Sequence, residues 1–162
     1  MIRIVALIAL VASAHDAVAG GKWERYANTS DGIVVDARVD KASNLAEIRA
    51  EAVIKAPIAR VWKVLIDFSN YSKFMPYMER GEVIRNEGNF RWQYCRVDAP
   101  IVSKRDYTLK YDLSGAPKTL TWVADNTKGP KAKKKYVRVN LAKGSWTLTP
   151  TAGGKQDRKS VV

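Results

Sequence analysis

The residues best suited to chemistry lie in one predicted strand, where an arginine is spaced among large apolar side chains. Alternate residues of a strand share a face, because the side-chain direction repeats every two residues. One face carries Ser103, Arg105, Tyr107, Leu109, Tyr111 and Leu113, and the other carries Lys104, Asp106, Thr108, Lys110 and Asp112. We therefore expect a charged, solvated face opposite an apolar face that contains Arg105.

An arginine on an apolar face needs a partner, because burying an isolated guanidinium is costly. Arg105 could pair with a nearby acid at the edge of the sheet, lie in a wet cavity, or meet the polar end of a ligand. Structural ion pairs outnumber ligand anchors, so the ion pair is the default expectation.

The rest of the sequence contains few of the residue combinations that enzymes use for catalysis. Its single histidine, His15, lies in a segment that we expect to be removed. Without imidazole, the remaining chain cannot build a Ser-His-Asp triad, a Cys-His pair or an ordinary zinc site. The sequence also has no glycine-rich phosphate loop and no acidic pair set for acid–base catalysis. We predict no catalytic residue, no metal and no cofactor, which still leaves open a cavity enzyme that uses Tyr, Arg and Asp.

The N-terminal segment has the pattern of a secretory signal peptide. Arg3 gives a short basic start, residues 4–14 form an apolar core, and Ala17-Val18-Ala19 is a small-residue cleavage site. An uncleaved anchor is the weaker interpretation, because the apolar run is well short of the ~20 residues that span a bilayer. We predict cleavage between Ala19 and Gly20, and a mature protein that is periplasmic or secreted.

The chain is strongly basic, with a formal net charge of +12. Much of the excess lies in the segment 128–135, for which a solvated loop is the default interpretation. The functional alternative is attraction to anionic lipid head groups, at about 1 kcal/mol per basic residue near the surface. The residues that would provide it are Lys131, Lys133, Lys134 and Lys135. We expect no nucleic-acid partner, because an exported chain seldom meets one.

The first half of the mature chain predicts two strands and then a helix. Residues 22–26 are expected to form a short helical turn, and the alternating segments 33–39 and 46–54 an antiparallel hairpin. Pro57 stands at a first helical position, and an apolar stripe follows it at helical spacing. This stripe, which predicts a helix of about ten residues with Trp62 in the core, consists of Ile58, Val61, Trp62 and Leu65. Residues 68–74 are a second short helix or a loop.

The second half returns to alternation divided by turns. The predicted strands are 82–86, 90–97, 102–113, 119–124, 136–141 and 145–149. Cys95, the only cysteine, has no disulfide partner and is expected to be a small buried residue. The spacing indicates a single α+β domain with an antiparallel sheet curled around a core or a cavity. Five Trp and seven Tyr suit either.

The predicted strand and its surroundings also follow a known order. Pro100 and an aromatic strand precede Val102-Ser103-Lys104-Arg105-Asp106-Tyr107. This arrangement resembles the signature of START domains, the lipid-transfer modules of the helix-grip (SRPBCC) superfamily, in which a Pro precedes Ser-x-Arg-Asp-aromatic. Other segments agree in order, namely Trp23, Asp31-Gly32-Ile33-Val34-Val35, Ala56-Pro57, Phe74-Met75-Pro76-Tyr77 and Trp92-Gln93-Tyr94. The resemblance covers residues 22–154.

The resemblance implies a helix-grip fold with a cavity between a curved sheet and a C-terminal helix. It also implies that Arg105 stands where the motif arginine of the family reaches the cavity. The other residues expected to line it, each equally consistent with ordinary core, are Met75, Tyr77, Trp92, Tyr94, Tyr107, Leu109 and Trp122. The implied function is non-catalytic binding, or transfer, of a lipid or other hydrophobic molecule. The alternative is an enzyme of the polyketide cyclase or aromatase kind.

The chain departs from the family at its C-terminus. Residues 155–162 have no apolar helical stripe, so we assign them to a polar tail after a domain at 20–154 and expect the usual C-terminal helix to be missing. The inner sheet face would then stay open, as in proteins that bind a partner or a membrane there. A third hypothesis follows, in which this face docks a protein, an anionic membrane or a second copy of the chain. Alternatively, the chain is a shortened product of low stability.

Overall fold

A computed structural model of the chain describes residues 21–40, 45–150 and 157–161. The signal peptide predicted at 1–19 and its cleavage site lie outside these residues. Within the described ranges, no helix has the length and apolar character needed to cross a membrane.

The described residues form a curved, almost entirely antiparallel sheet with short helices between its third and fourth strands. The strands are β1 (Glu24–Asn28), β2 (Val34–Asp40), β3 (Leu45–Ile54), β4 (Met78–Glu87), β5 (Phe90–Val97), β6 (Arg105–Asp112), β7 (Thr119–Ala124), β8 (Val137–Arg138), β9 (Lys143–Pro150) and β10 (Asp157–Val161). The helices are α1 (Ile58–Leu65) and α2 (Tyr71–Phe74), with 3-10 turns at Phe68–Asn70 and Asn126–Lys128. The strand order is β1-β2-β3-β10-β9-β7-β6-β5-β4, and β8 runs parallel to the start of β6.

The predicted hairpin at the start of the domain is confirmed as β2 and β3, which pair in continuous register. The segment before it differs from the prediction, because residues 24–28 form β1 rather than a helical turn. Its Arg25 donates a hydrogen bond to Asp36 Oδ1 at 2.6 Å, and Arg49 bonds the other oxygen at 2.9 Å. The Trp23 ring lies 4.8 Å from the Arg49 guanidinium. These cross-strand contacts, which a short local pattern cannot reveal, hold β1 on the sheet.

The helical segment covers one part of the inner sheet face. Helix α1 buries Val61, Trp62 and Leu65, as the apolar stripe predicts, and residues 68–74 continue as the 3-10 turn and α2. The Phe68 ring stacks on Tyr111 with centroids 4.3 Å apart. Gln93, fully buried, donates to the Phe68 carbonyl at 2.6 Å and accepts from the Tyr111 hydroxyl at 3.1 Å. One polar side chain thus fastens the helical segment to β5 and β6.

The C-terminal residues differ from the expected polar tail. Residues 157–161 form β10, which lies between β3 and β9 and pairs with both. Backbone hydrogen bonds do not depend on side-chain polarity, so a short polar segment can complete a sheet without showing an apolar alternation. Through β10 the sheet continues without a break from β1 to β4.

Aromatic side chains cross the inner face where the helices do not cover it. Trp122 lies between Tyr111 and Trp146, with ring centroids 6.2 and 5.9 Å away. Gly144, opposite Trp122 in the β7–β9 register, lets the indole lie directly on the backbone, because a Cβ atom there would overlap the ring. The position of Trp122 therefore requires a glycine at position 144.

We expect Gly144→Ala to lower the free energy of unfolding by about 1 kcal/mol or more, because the added methyl group must displace the Trp122 ring. Urea unfolding followed by tryptophan fluorescence measures this change. The matched control is Ser145→Ala at the next position, for which we expect a change within about 0.5 kcal/mol. Equal unfolding midpoints for both variants would contradict the described packing.

Candidate ligand-binding site

The strand register assigns the predicted site residues to two different faces. In β5 and β6, Cys95 lies opposite Tyr107, whereas Tyr94 lies opposite Thr108. Directly opposed residues of antiparallel strands share a face, and neighbours along a strand point to opposite faces. Cys95, Tyr107 and Leu109 therefore lie on the inner face toward the helices, and Tyr94 and Thr108 lie on the outer face.

Two of the predicted cavity residues are on the outer face. Trp92 donates from Nε1 to Asp125 Oδ2 at 2.7 Å, and the Tyr94 hydroxyl donates to Asp106 Oδ2 at 3.0 Å. Both rings are buried under the segment that follows β7. Both residues were predicted to line the cavity with Tyr107 because all three are aromatic, but the strand register places them on the opposite face. They do not line the inner face.

The other candidates divide into core, inner surface and solvent. Tyr107 and Leu109 are buried in the core, while Trp122 and Met75 are partly exposed and pack against it. Tyr77 differs, because it is 58% exposed in the loop before β4. Cys95 is fully buried, as predicted, and burial raises the pKa of its thiol well above the usual range.

Arg105 begins β6 on the inner face, opposite Val97 of β5 and Val137 of β8. It is half-buried, and it has no hydrogen-bond or ion-pair partner in the part of the chain that the structure describes. The default expectation of a structural ion pair is therefore wrong for the described residues. A guanidinium on this face keeps its donors available for a ligand.

The next inner-face residue along β6 also has an unused polar group. Tyr107 is 3% exposed, and its hydroxyl has no hydrogen-bond partner among the described residues. Burial raises the pKa of Tyr107 well above its usual value, so the phenol stays protonated and can donate at neutral pH. A buried hydroxyl without a partner is costly. Tyr107 and Arg105 are two residues apart in the strand, so their Cα atoms are about 7 Å apart.

The outer face of β6 is not the solvated surface that alternation predicts. Asp106 and Thr108 are fully buried, because residues 125–139 cross over them. Arg138 donates two hydrogen bonds to Asp106, from Nε at 2.7 Å and from Nη2 at 2.8 Å. Gly129 lies so close to the Thr108 hydroxyl that a side chain at 129 would overlap it. The signature acid thus holds the loop to the sheet, while the signature arginine beside it faces the other way.

The Asp106 contacts also explain two pKa shifts. Burial, together with the hydrogen bond to Asp106, raises the pKa of Tyr94 to about 12. The same carboxylate raises the pKa of Arg138 through its hydrogen bonds. Tyr94 therefore stays protonated and Arg138 stays charged near neutral pH, as suits a structural role. Within the described ranges, no group of His, Cys, Asp and Glu is placed to hold a metal ion.

We expect Asp106→Asn to lower the free energy of unfolding by about 3 kcal/mol, because it leaves the Arg138 guanidinium buried without its counter-charge. Urea unfolding measures the loss. Glu82→Gln is the control, since Glu82 forms an exposed ion pair with Arg80 worth at most about 1 kcal/mol. A wild-type midpoint for the Asp106 variant would show that this pair does not hold the loop.

Comparison with known proteins adds sequence and structural relatives. The family model described as polyketide cyclase / dehydrase and lipid transport matches residues 54–161. A STAR-related lipid transfer protein fragment from Xanthomonas axonopodis is 28% identical, with a TM-score of 0.73, over 86% of this chain and 80% of that one. A search of curated proteins gave no significant match.

Two more distant structures share the fold. Human STARD10 is 16% identical with a TM-score of 0.70, over 86% of this chain and 58% of that one. The Zhui aromatase/cyclase from Streptomyces sp. R1128 is 18% identical with a TM-score of 0.55, over 70% and 62%. This chain thus spans less than two thirds of the length of these two proteins. The sheet, its helices and the family match confirm the predicted START-like, helix-grip fold, and the chain belongs to the polyketide cyclase / dehydrase and lipid transport family.

Proposed function

We propose that the chain binds a lipid or similar hydrophobic molecule against the inner sheet face, with the polar end of the ligand at Arg105 and Tyr107, and that it does so without catalysis. The observation that carries this proposal is a pair of inner-face donors, the Arg105 guanidinium and the Tyr107 hydroxyl, that have no partner among the described residues. A cation and a phenol both donate hydrogen bonds, so they favour a ligand whose polar end accepts them, such as a carboxylate or a phosphate.

The apolar part of the ligand would lie on the half-buried inner surface beside these donors. Trp122 and Ala124 of β7, the strand next to β6, are partly exposed there and pack against the core. Apolar walls with a few polar groups that fix orientation are typical of small-molecule sites. The lipid-transport part of the family description and the name of the Xanthomonas relative support the same class of ligand.

The alternative, a cyclase or aromatase, shares the fold but needs a group that moves protons. The tyrosines nearest the site, Tyr107 and Tyr111, are buried, and burial raises the pKa of each well above its usual value. They are therefore poor bases at neutral pH. The register also places no acidic residue of β5, β6 or β7 on the inner face. Binding is the function that these groups support better.

The compartment is part of the proposal. Because the sequence predicts cleavage after Ala19, the protein would work in the periplasm or outside the cell. Expression of the full chain followed by mass measurement tests this, and a mature mass that begins at Gly20 is expected. An intact N-terminus in the cytoplasmic fraction would contradict it.

Native mass spectrometry of the mature protein, purified gently from its host, tests ligand binding directly. We expect a folded species that carries a discrete apolar adduct, whose mass begins to identify the ligand. The same spectrum gives the mass of the folded species, which shows whether the protein is a monomer or an oligomer. A folded protein that neither carries an adduct nor takes up a lipid would contradict the proposal.

The polar anchor has its own test, which uses two probes that share a hydrocarbon chain. We expect Arg105→Met to weaken binding of palmitate about tenfold, the loss of one charge-assisted hydrogen bond, and to leave binding of hexadecanol nearly unchanged. Quenching of tryptophan fluorescence measures both affinities. Arg80→Met on the outer face is the control and should bind both probes like the wild type. Equal losses for palmitate and hexadecanol would remove Arg105 from the polar site.

A further inference from the structure

An arginine without a counter-charge also lies on the outer face of the sheet, on the side away from the proposed ligand site. Arg96 of β5 stands between Arg80 of β4 and Asp106 of β6 in the strand register. Like charges directly opposite each other are unfavourable. The acid on the other side is already bound by Arg138 and Tyr94. Arg96 therefore has one repulsive neighbour and no acidic partner among the described residues.

The Arg96 guanidinium uses only part of its hydrogen-bonding capacity. Its Nη1 donates to the Tyr136 hydroxyl at 3.1 Å, whereas its Nε is buried and has no partner among the described residues. A buried donor without an acceptor costs free energy. Arginine binds two oxygens of one anion through two parallel N–H groups. The edge of the guanidinium that carries Nε lacks such an acceptor.

Tyr136 joins this arginine to a second cation. The Tyr136 side chain is 8% exposed, and because its hydroxyl accepts from Arg96, the hydroxyl proton can be donated elsewhere. The Arg96 guanidinium carbon and Lys135 Nζ lie 5.8 and 5.1 Å from the centre of the Tyr136 ring. Burial acts to raise the pKa of Tyr136, but the hydrogen bonds from Lys135 and Arg96 outweigh it and lower the pKa. Two cations thus converge on one phenol.

The acids at this end of the sheet are paired with other cations. Glu79 and Asp98 both bind Lys104, at 2.5 and 2.6 Å, and Glu82 pairs with Arg80. The loop that crosses the outer face adds further positive charge through its exposed lysines, which are Lys131, Lys133, Lys134 and Lys135. The surroundings of the phenol are therefore positive.

We propose that Arg96, Lys135 and Tyr136 form a binding site for the phosphate group of a small molecule, either inorganic phosphate or a phosphate monoester. The two uncompensated cations match the charge of a dianion, and all three side chains can donate hydrogen bonds to its oxygens. A carboxylate would neutralise only one of the two charges. The site lies on the opposite face of the sheet from Arg105, so it does not depend on the proposed function.

A nuclear magnetic resonance titration of the mature protein tests the site. The probes are glycerol phosphate, a monoester that is mostly dianionic at pH 7 because its second pKa is about 6, and inorganic phosphate. The observed signal is the Arg96 Nε–H resonance, which both probes should shift because this group lacks an acceptor. Chloride keeps the ionic strength constant, since salt screens charges. We expect the affinity for acetate to be about tenfold lower, because acetate offers one charge instead of two.

Two variants test the residues, with calorimetry as the measurement of affinity. We expect Arg96→Met to weaken binding of glycerol phosphate about tenfold, the loss of a charge-assisted hydrogen bond. Lys135→Gln, which changes an exposed side chain, should weaken it about threefold. The controls are Arg91→Met, which removes another half-buried arginine of β5, and Lys118→Gln, which removes another exposed lysine. Both controls should bind like the wild type, and thermal unfolding shows whether each variant is folded.

The proposal is overturned if neither phosphate probe shifts the Arg96 signal. It is also overturned if Arg91→Met weakens binding as much as Arg96→Met, since attraction would then follow net charge alone. Attachment to vesicles that contain phosphatidic acid, without binding of soluble glycerol phosphate, would replace the small-molecule site with a lipid surface. Arg105→Met should bind glycerol phosphate like the wild type, and a loss in this variant would move the anion to the inner face and exclude the outer site.

Discussion

The buried ion pair between Asp106 and Arg138 is the contact on which the arrangement around β6 depends. Asp106 is fully buried, so its carboxylate is tolerated only because Arg138 and the Tyr94 hydroxyl satisfy its oxygens. That requirement holds the segment after β7 over the outer face and keeps β8 beside the start of β6. A loop that carries four exposed lysines thus stays in place because one acid beneath it needs a counter-charge.

The same contact explains why Arg105 has no ion-pair partner among the described residues. Neighbouring residues of a strand point to opposite faces, so Arg105 cannot pair with Asp106, the acid next to it in sequence. Asp106 is already saturated by a bidentate arginine from the other side. The inner face of β5 to β7 supplies no acid in its register. The signature therefore places one charged residue in the framework and leaves the other free to face a ligand.

Elements that follow local periodicity could be predicted from the sequence, whereas features that depend on contacts with distant segments could not. The hairpin of β2 and β3, helix α1 and the strands β5 to β7 follow local alternation or helical spacing, and each was found where expected. Trp92 and Tyr94 were misplaced, because the face of a residue follows from the register with the next strand, which composition does not encode. Asp106 was predicted to be solvated, because the segment that covers it comes about thirty residues later in the chain. β10 was not predicted, because its polar sequence shows no apolar alternation although its backbone pairs with β3 and β9. Arg105 was singled out from its spacing, but that it has no acidic partner among the described residues could be learned only from the fold.

Two features of β6 each cost stability, because the Tyr107 hydroxyl and the Arg105 guanidinium have no partner among the described residues. By contrast, the buried amide of Gln93 on the same face is satisfied by Phe68 and Tyr111. Folding alone does not favour keeping both costs on one strand face, because an apolar residue at either position would relieve them. Their common location is explained if a group outside the chain completes them, and a ligand acceptor at this end of β6 would do so.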